Sequence, residues 1–534
     1  MMNKPDYLNA LNKSYQDSLP WLSTPSIYNV ISTHIDPELN KLSSERFFLP
    51  DESRWSADKQ VSYIKGAWDG NAMRSWHSKE EKSDAADIIN DIALIAIDNK
   101  KAMVKLYKKL LDSDIINLID LVISYFNKIE ISSHPHLYNF LRFLAVASPD
   151  RAPVKLAISI LGLIGQSQDV ELITTLGLHE EFTLYSAIAL VNMLEEPDQA
   201  IWDLSKKTEQ WGRIHTINLL AQTENPEIKH WLLYEAHQGL FMVGKVALVC
   251  VQTGDLRAAL FQNDVDEQLF RAAESLLHAL IRGGMNAEIY HYEYAADCIL
   301  RFLDLLANQK NSTKDILFLS DLHEFLHDED WELDEMEDVG WTLAKHQDAI
   351  NKTGKILSNP LWQTIVNEHL KSVNLKTFSQ GIKAARLIGV DTWDLCLKRL
   401  MNNQLDTVSW EFILEEADKN NIDAIIDLAD QLLPLDEIAS GPANEIGSGE
   451  AFKAHNCLDF ILQTLEAFPG KGWHLIEIGL RNPVNRVRNM ALRTLRYWGK
   501  TNWPDEVLTA LQAAVLIEPD METKKTIQEF INHY

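Results

Sequence analysis

The chain has 534 residues, 46% of them hydrophobic and 24% charged, which suits about three to four ordinary domains and excludes a disordered polymer. Its 50 Lys and Arg stand against 77 Asp and Glu, a formal charge of -27 that repels a phosphate backbone and argues against nucleic acid as a partner. Only 22 Gly, 17 Pro and four Cys (250, 298, 396 and 457, without a C-x-x-C pair) exclude collagen-like, low-complexity and disulfide-dense scaffolds; buried free thiols in a reducing cytoplasm are expected.

Residues 1–85 are aromatic and broken by prolines, with Trp21, Trp55, Trp68 and Trp76, and read as an irregular cap of short helices and turns. No basic flank with a compact apolar core marks a signal peptide. The uncharged stretch Ser18 to His34 contains Pro20 and Pro25, and the runs Leu156–Gln168 and Phe182–Leu194 are 13 residues long, short of the ~20 that a bilayer requires, so no membrane span is expected. From Asp84 onward the texture is helical. Ile88, Ile89, Ile92, Ile95 and Ala96 recur at three- and four-residue steps, and His134-Pro135, Ser148-Pro149, Glu196-Pro197 and Asn225-Pro226 punctuate the following runs as helix ends do.

A small or medium residue followed four later by an aliphatic one recurs at Ala157/Leu161, Ala187/Val191, Thr216/Leu220, Ala247/Val251 and Ala273/Leu277, with steps of 30, 29, 31 and 26 residues. A near-constant period predicts stacked helical hairpins over residues 86–305. The passage Ala157 to Gly165 (AISILGLIG) resembles the second helix of short HEAT-like repeats. Pro483-x-x-x-Val487-Arg488-x-x-Ala491-x-x-x-Leu495 resembles the HEAT core, with an echo at Pro519, Thr523, Lys524, Ile527 and Ile531. The resemblance implies an all-α, HEAT-like α-solenoid with C-terminal repeats over 375–534. Its periods are shorter than the ~40 residues usual for HEAT, and the Val-Arg pair is absent from most repeats.

Residues 306–374 read as an acidic insertion with connecting helices. Within it, His323-Glu324-Phe325-Leu326-His327 is a literal H-E-x-x-H: two imidazoles four apart share a helical face and can hold one zinc while Glu324 polarises its water. A third ligand is required. The metzincin extension fails, with Asp330 where Gly belongs and Leu333 where His belongs; Glu332 and Glu335 are carboxylate alternatives. The plainer reading makes Leu319, Leu322 and Leu326 a buried stripe with both His at its margin. Asp321 to Asp338 holds ten acids in 18 residues and no Lys or Arg, so Asp328, Glu329, Trp331 and Asp334 form a candidate dock for a basic partner, set against simple solvated charge.

Arg481 to Lys500 carries six cations and no acid. Arg486 and Arg493, seven apart, share a helical face and are candidate binding residues, while Arg488 occupies the HEAT ladder position and is read as structural, with pairing to neighbouring carboxylates expected. Pro434 to Glu450 (PLDEIASGPANEIGSGE) lacks helical periodicity and reads as a functional loop or an exposed insertion. There is no G-x-G-x-x-G, no G-x-x-x-x-G-K-[ST] and no G-x-S-x-G. The stretch from Leu433 (LPLDEIASGPANEIGSG, then FPGKGW and NRVRNMALRTL) also resembles a family of uncharacterised bacterial proteins, some named limonene hydroxylase; that resemblance implies a monooxygenase, though no haem-thiolate, flavin or nicotinamide fingerprint accompanies it. The expectation is therefore a cytoplasmic protein- or peptide-binding repeat scaffold without catalysis or cofactor, whose partner is basic. The alternatives are a monooxygenase and a zinc metallohydrolase.

Overall fold

The computed structural model describes residues 24–43, 47–55, 65–70, 78–126, 134–283, 288–308, 313–328, 336–445, 447 and 449–533; Trp21 and Trp76 of the expected cap lie outside them. Among these residues the chain is all-α apart from a two-residue antiparallel ribbon, β1 (Ile35–Asp36) with β2 (Lys41–Leu42), and a parallel bridge between Glu445 and Val484. None of the described helices is long and apolar enough to cross a membrane. The chain divides into two compact units, one formed by residues 1–309 with 321–353 and the other by 310–320 with 354–534.

The first unit's principal helices are α1 (Ile27–Thr33), α2 (Lys79–Ala96), α3 (Lys100–Leu111), α4 (Ile115–Phe126), α5 (Pro135–Ala147), α6 (Arg151–Ile164), α7 (Val170–Gly177), α8 (Glu180–Met193), α9 (Asp198–Lys207), α10 (Gln210–Leu219), α11 (Pro226–Tyr234), α12 (Ala247–Thr253), α13 (Glu267–Ile281) and α14 (Ala295–Leu306). Local chemistry starts them. Ser78 and Glu81 close a reciprocal capping box on α2, the Asn99 side chain accepts two backbone N–H groups of α3, and Asp266 accepts the Leu269 N–H at 2.7 Å on α13. Asn225 caps α11, with Pro226 at the position where a missing N–H costs nothing.

Packing runs from neighbour to neighbour. α5 packs on α6, α6 on α8 and α8 on α10, with α7 and α9 against α8 and α10; α11 then packs on α12, α12 on α13 and α13 on α14. The recurrent pairs lie inside this layer. Ala157, Leu161, Ala187, Thr216, Leu220, Ala247, Val251, Ala273 and Leu277 are all 0% exposed, whereas Val191 is 38% exposed. Each buried aliphatic side chain stabilises by roughly 1.5–3 kcal/mol. Close approach of α6 to α8 depends on Gly162, where a Cβ would sit 2.7 Å from Ala189 Cα.

α15 covers Thr313–Leu326. The second unit continues with α16 (Leu361–Leu370), α17 (Leu375–Leu387), α18 (Trp393–Asn402), α19 (Thr407–Glu415), α20 (Ile422–Leu432), α21 (Lys453–Leu465), α22 (Trp473–Leu480), α23 (Asn485–Trp498), α24 (Val507–Ile517) and α25 (Met521–His533). α19 packs on α21, α21 on α23 and α23 on α25 around one apolar core that includes Trp410, Leu458, Ile461, Val487, Leu495 and Phe530. Val487, Ala491 and Leu495 of the HEAT-like motif face inward, as does Ile527 of its echo. All four cysteines are buried free thiols.

Candidate functional site

Among the described residues, a concentration of buried ionisable groups lies in the first unit, where residues 47–55 and 65–70 meet α6, α8 and α10. α6 is apolar almost throughout, yet Arg151 and Lys155 on successive turns are each 2% exposed. Carboxylates from far upstream satisfy them. Asp51 accepts the Arg151 backbone N–H at 2.8 Å and its Nη1 at 2.8 Å, so one side chain both caps the helix and pairs its first cation; Glu52 takes Nη2 at 2.5 Å. Asp69 and Glu181 receive the Lys155 ammonium at 2.6 and 3.3 Å. Glu181 also accepts the Gly66 N–H at 2.8 Å, and Gly66 adopts φ +72, a left-handed conformation that favours glycine.

Burial works against every charge here, and pairing decides the outcome. Burial pulls the Lys155 pKa down, but Asp69 and Glu181 outweigh it and hold it above the usual lysine value. Glu181 is likewise opposed by burial and ends below the usual carboxylate value through Lys155 and Arg151. Asp69 is raised by burial despite Lys155. Glu180 is pushed up to about 7 by burial, with Glu209 and Glu181 adding repulsion and Lys65 opposing them. His179 drops to about 3, first from burial and then from Lys65, and therefore stays neutral. The Tyr185 hydroxyl is raised by burial and by Asp69. Such an arrangement can clamp a segment, and Glu180 can exchange a proton near neutrality.

A second feature is a polar groove of about 550 Å3 in the same unit. Its walls come from the connection after α10 (Gln222, Glu224), the end of α12 (Gln252), the next helix start (Asp255, Arg257) and Tyr294 before α14. The Arg257 guanidinium lies 4.9 Å over the Tyr294 ring and pairs with Asp297 at 3.1 Å. Asp255 adopts φ +53, unusual for a residue other than glycine, and its carboxylate caps Ala258 N–H at 3.1 Å. No described cation pairs with Asp255.

The H-E-x-x-H residues do fall on one helix, α15. The His323 and His327 rings lie with centroids 4.0 Å apart, and His327 Nδ1 donates to the His323 carbonyl at 2.8 Å. Burial, then the neighbouring His327, lowers the His323 pKa, which leaves it neutral as a metal ligand requires. Among the described residues, however, no third His, Cys, Asp or Glu joins them, so the donor set there stops at two imidazoles. Glu329, Trp331 and Asp334 of the expected dock, and the alternative ligands Glu332 and Glu335, lie outside the described residues. Asp321 pairs with His278 at 2.7 Å and Arg282 at 3.5 Å, and Leu319, Leu322 and Leu326 form the buried stripe.

On α23 the three arginines separate. Arg488 is 1% exposed, donates to both Glu518 oxygens at 2.7 and 2.8 Å, and satisfies the carbonyls of Ala443, Asn482 and Pro483. Arg486 pairs with Asp459 at 3.3 Å and Arg493 with Glu466 at 2.9 Å, while each side chain keeps about half its surface exposed. The stretch after α20 is anchored to the start of α23: Gly441 N–H donates to the Arg481 carbonyl, and Glu445 exchanges bonds with Pro483 and Asn485. Burial pushes the thiols of Cys298 and Cys457 up to about 12 and of Cys396 up to about 11.

Among known proteins, no family model matches the chain and no curated protein is significantly similar to it. The charged cluster around α6 and the groove were not anticipated from sequence. One signal for the first was present: two cations four residues apart inside an otherwise apolar helix require buried partners.

Proposed function

We propose that the chain is a cytoplasmic, HEAT-like α-solenoid scaffold that binds a basic protein or peptide segment and performs no catalysis of its own. Neighbour-to-neighbour packing of the helices supports stacked hairpins, an architecture that leaves extended binding surfaces. The observation that carries the binding reading is the polar groove built from the ends of successive helices, with the Tyr294 ring, the side-chain amides of Gln222 and Gln252 and the Asp255 carboxylate on its walls, beside Lys229 and Arg257, which pair with Glu224 and Asp297. Side-chain amides and a tyrosine suit a peptide backbone; Asp255 and the overall charge of -27 select a cationic one. The acidic run that includes Asp328, Glu329, Trp331 and Asp334 is a second candidate contact for a basic partner, and Arg486 and Arg493 are, separately, candidate binding residues.

The test is selection of peptides from a displayed random library on the purified chain, followed by calorimetric titration. Selected peptides should be rich in Lys and Arg, and Asp255→Asn and Tyr294→Ala should each weaken them about tenfold, the effect of losing one good polar or aromatic contact. Acidic consensus peptides, or binding unchanged in both variants, would refute the groove. Turnover of a terpene with an added electron donor would instead favour the monooxygenase reading, and stoichiometric zinc with peptidase activity lost on Glu324→Gln would favour the hydrolase.

A further inference from the structure

One wall of the groove is already covered by a cation of the chain itself. Arg257 and Tyr294 both line the cavity, and the Arg257 guanidinium lies 4.9 Å from the centre of the Tyr294 ring and 5.7 Å from that of Phe261, while its Nε–H donates to Asp297 at 3.1 Å. The groups around this guanidinium are held from behind. Tyr292, 1% exposed, packs edge-on against Tyr294 at 6.1 Å and shares a hydrogen bond with Cys298. Lys345 gives Asp297 a second cation at 2.8 Å and is the first cause of its carboxyl lying below the usual value. Arg257 is the loose member: 47% of its side chain is exposed. An exposed ion pair and an exposed cation–π contact each shift an equilibrium by no more than about fivefold.

We propose that Tyr294 and Asp297 form a seat for an arginine side chain of the partner, which enters by exchange with Arg257. The inference rests on the groove as a peptide site and narrows its partner from basic to arginine-bearing. Arg257 shows what the seat holds: a delocalised cation over an aromatic ring with an N–H directed at a carboxylate. A lysine ammonium is a compact, more strongly hydrated charge and gains less from the ring. Exchange replaces like with like, so the ion pair and ring contact that Arg257 gives up are made again by the newcomer. Asp297 keeps a cation throughout, because Lys345 stays in place. Arg257 thereby sets a threshold, since a segment must add contacts along the groove, at Asp255, Gln222 and Gln252, to displace a guanidinium that is already seated.

Two capped peptides of equal length, one alternating arginine and serine and the other lysine and serine, titrated into the full chain at about 0.3 M salt to screen exposed charge, test the seat. The arginine peptide should bind at least about threefold more tightly than the lysine peptide. Arg257→Gln, which uncovers Tyr294, should tighten the arginine peptide about three- to tenfold, whereas Lys229→Gln, which removes the same charge from the same groove without uncovering the ring, should change it less than about twofold. Should Arg257→Gln fail to fold, NMR of the wild type decides: the Arg257 Nε–H resonance should shift on addition of the arginine peptide. Failure of both peptides to bind is the failure of the groove itself. Binding of both with equal affinity, a gain in Arg257→Gln no larger than in Lys229→Gln, or an unmoved Arg257 resonance overturns the arginine seat alone.

Discussion

Lys155 in the first unit and Arg488 in the second are both buried cations, 2% and 1% exposed, yet they are satisfied by different means. Lys155 rests on two carboxylates, and one of them, Asp69, reaches it from 86 residues upstream. Arg488 spreads its guanidinium over Glu518 and three backbone carbonyls, all within 45 residues of it. An ammonium is a compact charge that must be neutralised at a point; a guanidinium can be shared across a helix start. The first device therefore ties a remote segment onto the helices, and the second closes a local junction between α23 and its neighbours.

The largest effect should come from breaking the first device. Lys155→Met leaves Asp69 buried without its cation and Glu181 with only Arg151 at 3.8 Å, and should cost about 3–5 kcal/mol in urea unfolding. If the pair only decorates a surface, the loss will stay below about 1 kcal/mol. Arg488→Lys keeps the charge but loses the forked geometry, leaving the Ala443, Asn482 and Pro483 carbonyls short of a donor; a destabilisation of about 2–3 kcal/mol is expected. Were Arg488→Lys silent while Arg488→Met is damaging, charge alone would explain the junction.

A pH series sharpens the picture of the first region, because Glu180, next to Glu181 in the chain, carries a shifted proton site. Glu180, with an ordinary value of 4.5, is raised to about 7 in the fold. The folded state thus holds a proton that the unfolded state releases, so this group's contribution to stability falls as pH rises from about 4.5 through about 7. Every tenfold change in proton affinity between the two states is worth about 1.4 kcal/mol, discounted here for partial exposure. Glu180→Gln should accordingly match wild type at pH 4 and exceed it by about 1–3 kcal/mol at pH 8, read as the difference between two denaturant midpoints. A variant less stable than wild type at pH 8 would mean that Glu180 is held ionised by Lys65.

The same contrast explains what the sequence made legible. Arg488 could be read because its motif is contiguous and helix packing repeats it; Val487, Ala491 and Leu495 all face inward as the pattern requires. The helix start at Asn225-Pro226 was equally local. The α6 cluster was not readable, since its geometry depends on Asp51 and Asp69 meeting Arg151 and Lys155 across 100 and 86 residues, a coincidence that no periodicity encodes. Val191 fits the repeat register yet is exposed, showing that small-xxx-aliphatic spacing alone does not assign a face. The H-E-x-x-H spacing placed His323 and His327 together, but a third ligand is a matter of tertiary packing and could not be counted from the motif.

The smallest expected effect concerns the exposed arginines. Arg493 pairs with Glu466 at 2.9 Å and lies 5.6 Å over Tyr497, half exposed throughout, so solvent screens most of the attraction. Arg493→Gln should change stability by less than about 1 kcal/mol, and raising the salt concentration should erase most of what remains. A near-neutral variant leaves Arg493 free to be held for recognition, whereas a loss comparable to that of Arg488→Lys would place it with the structural junction. Glu466 decides between these outcomes. At 13% side-chain exposure it is the less hydrated partner, so any sizeable loss would arise from its stranded carboxylate and should disappear in the double variant Arg493→Gln/Glu466→Gln.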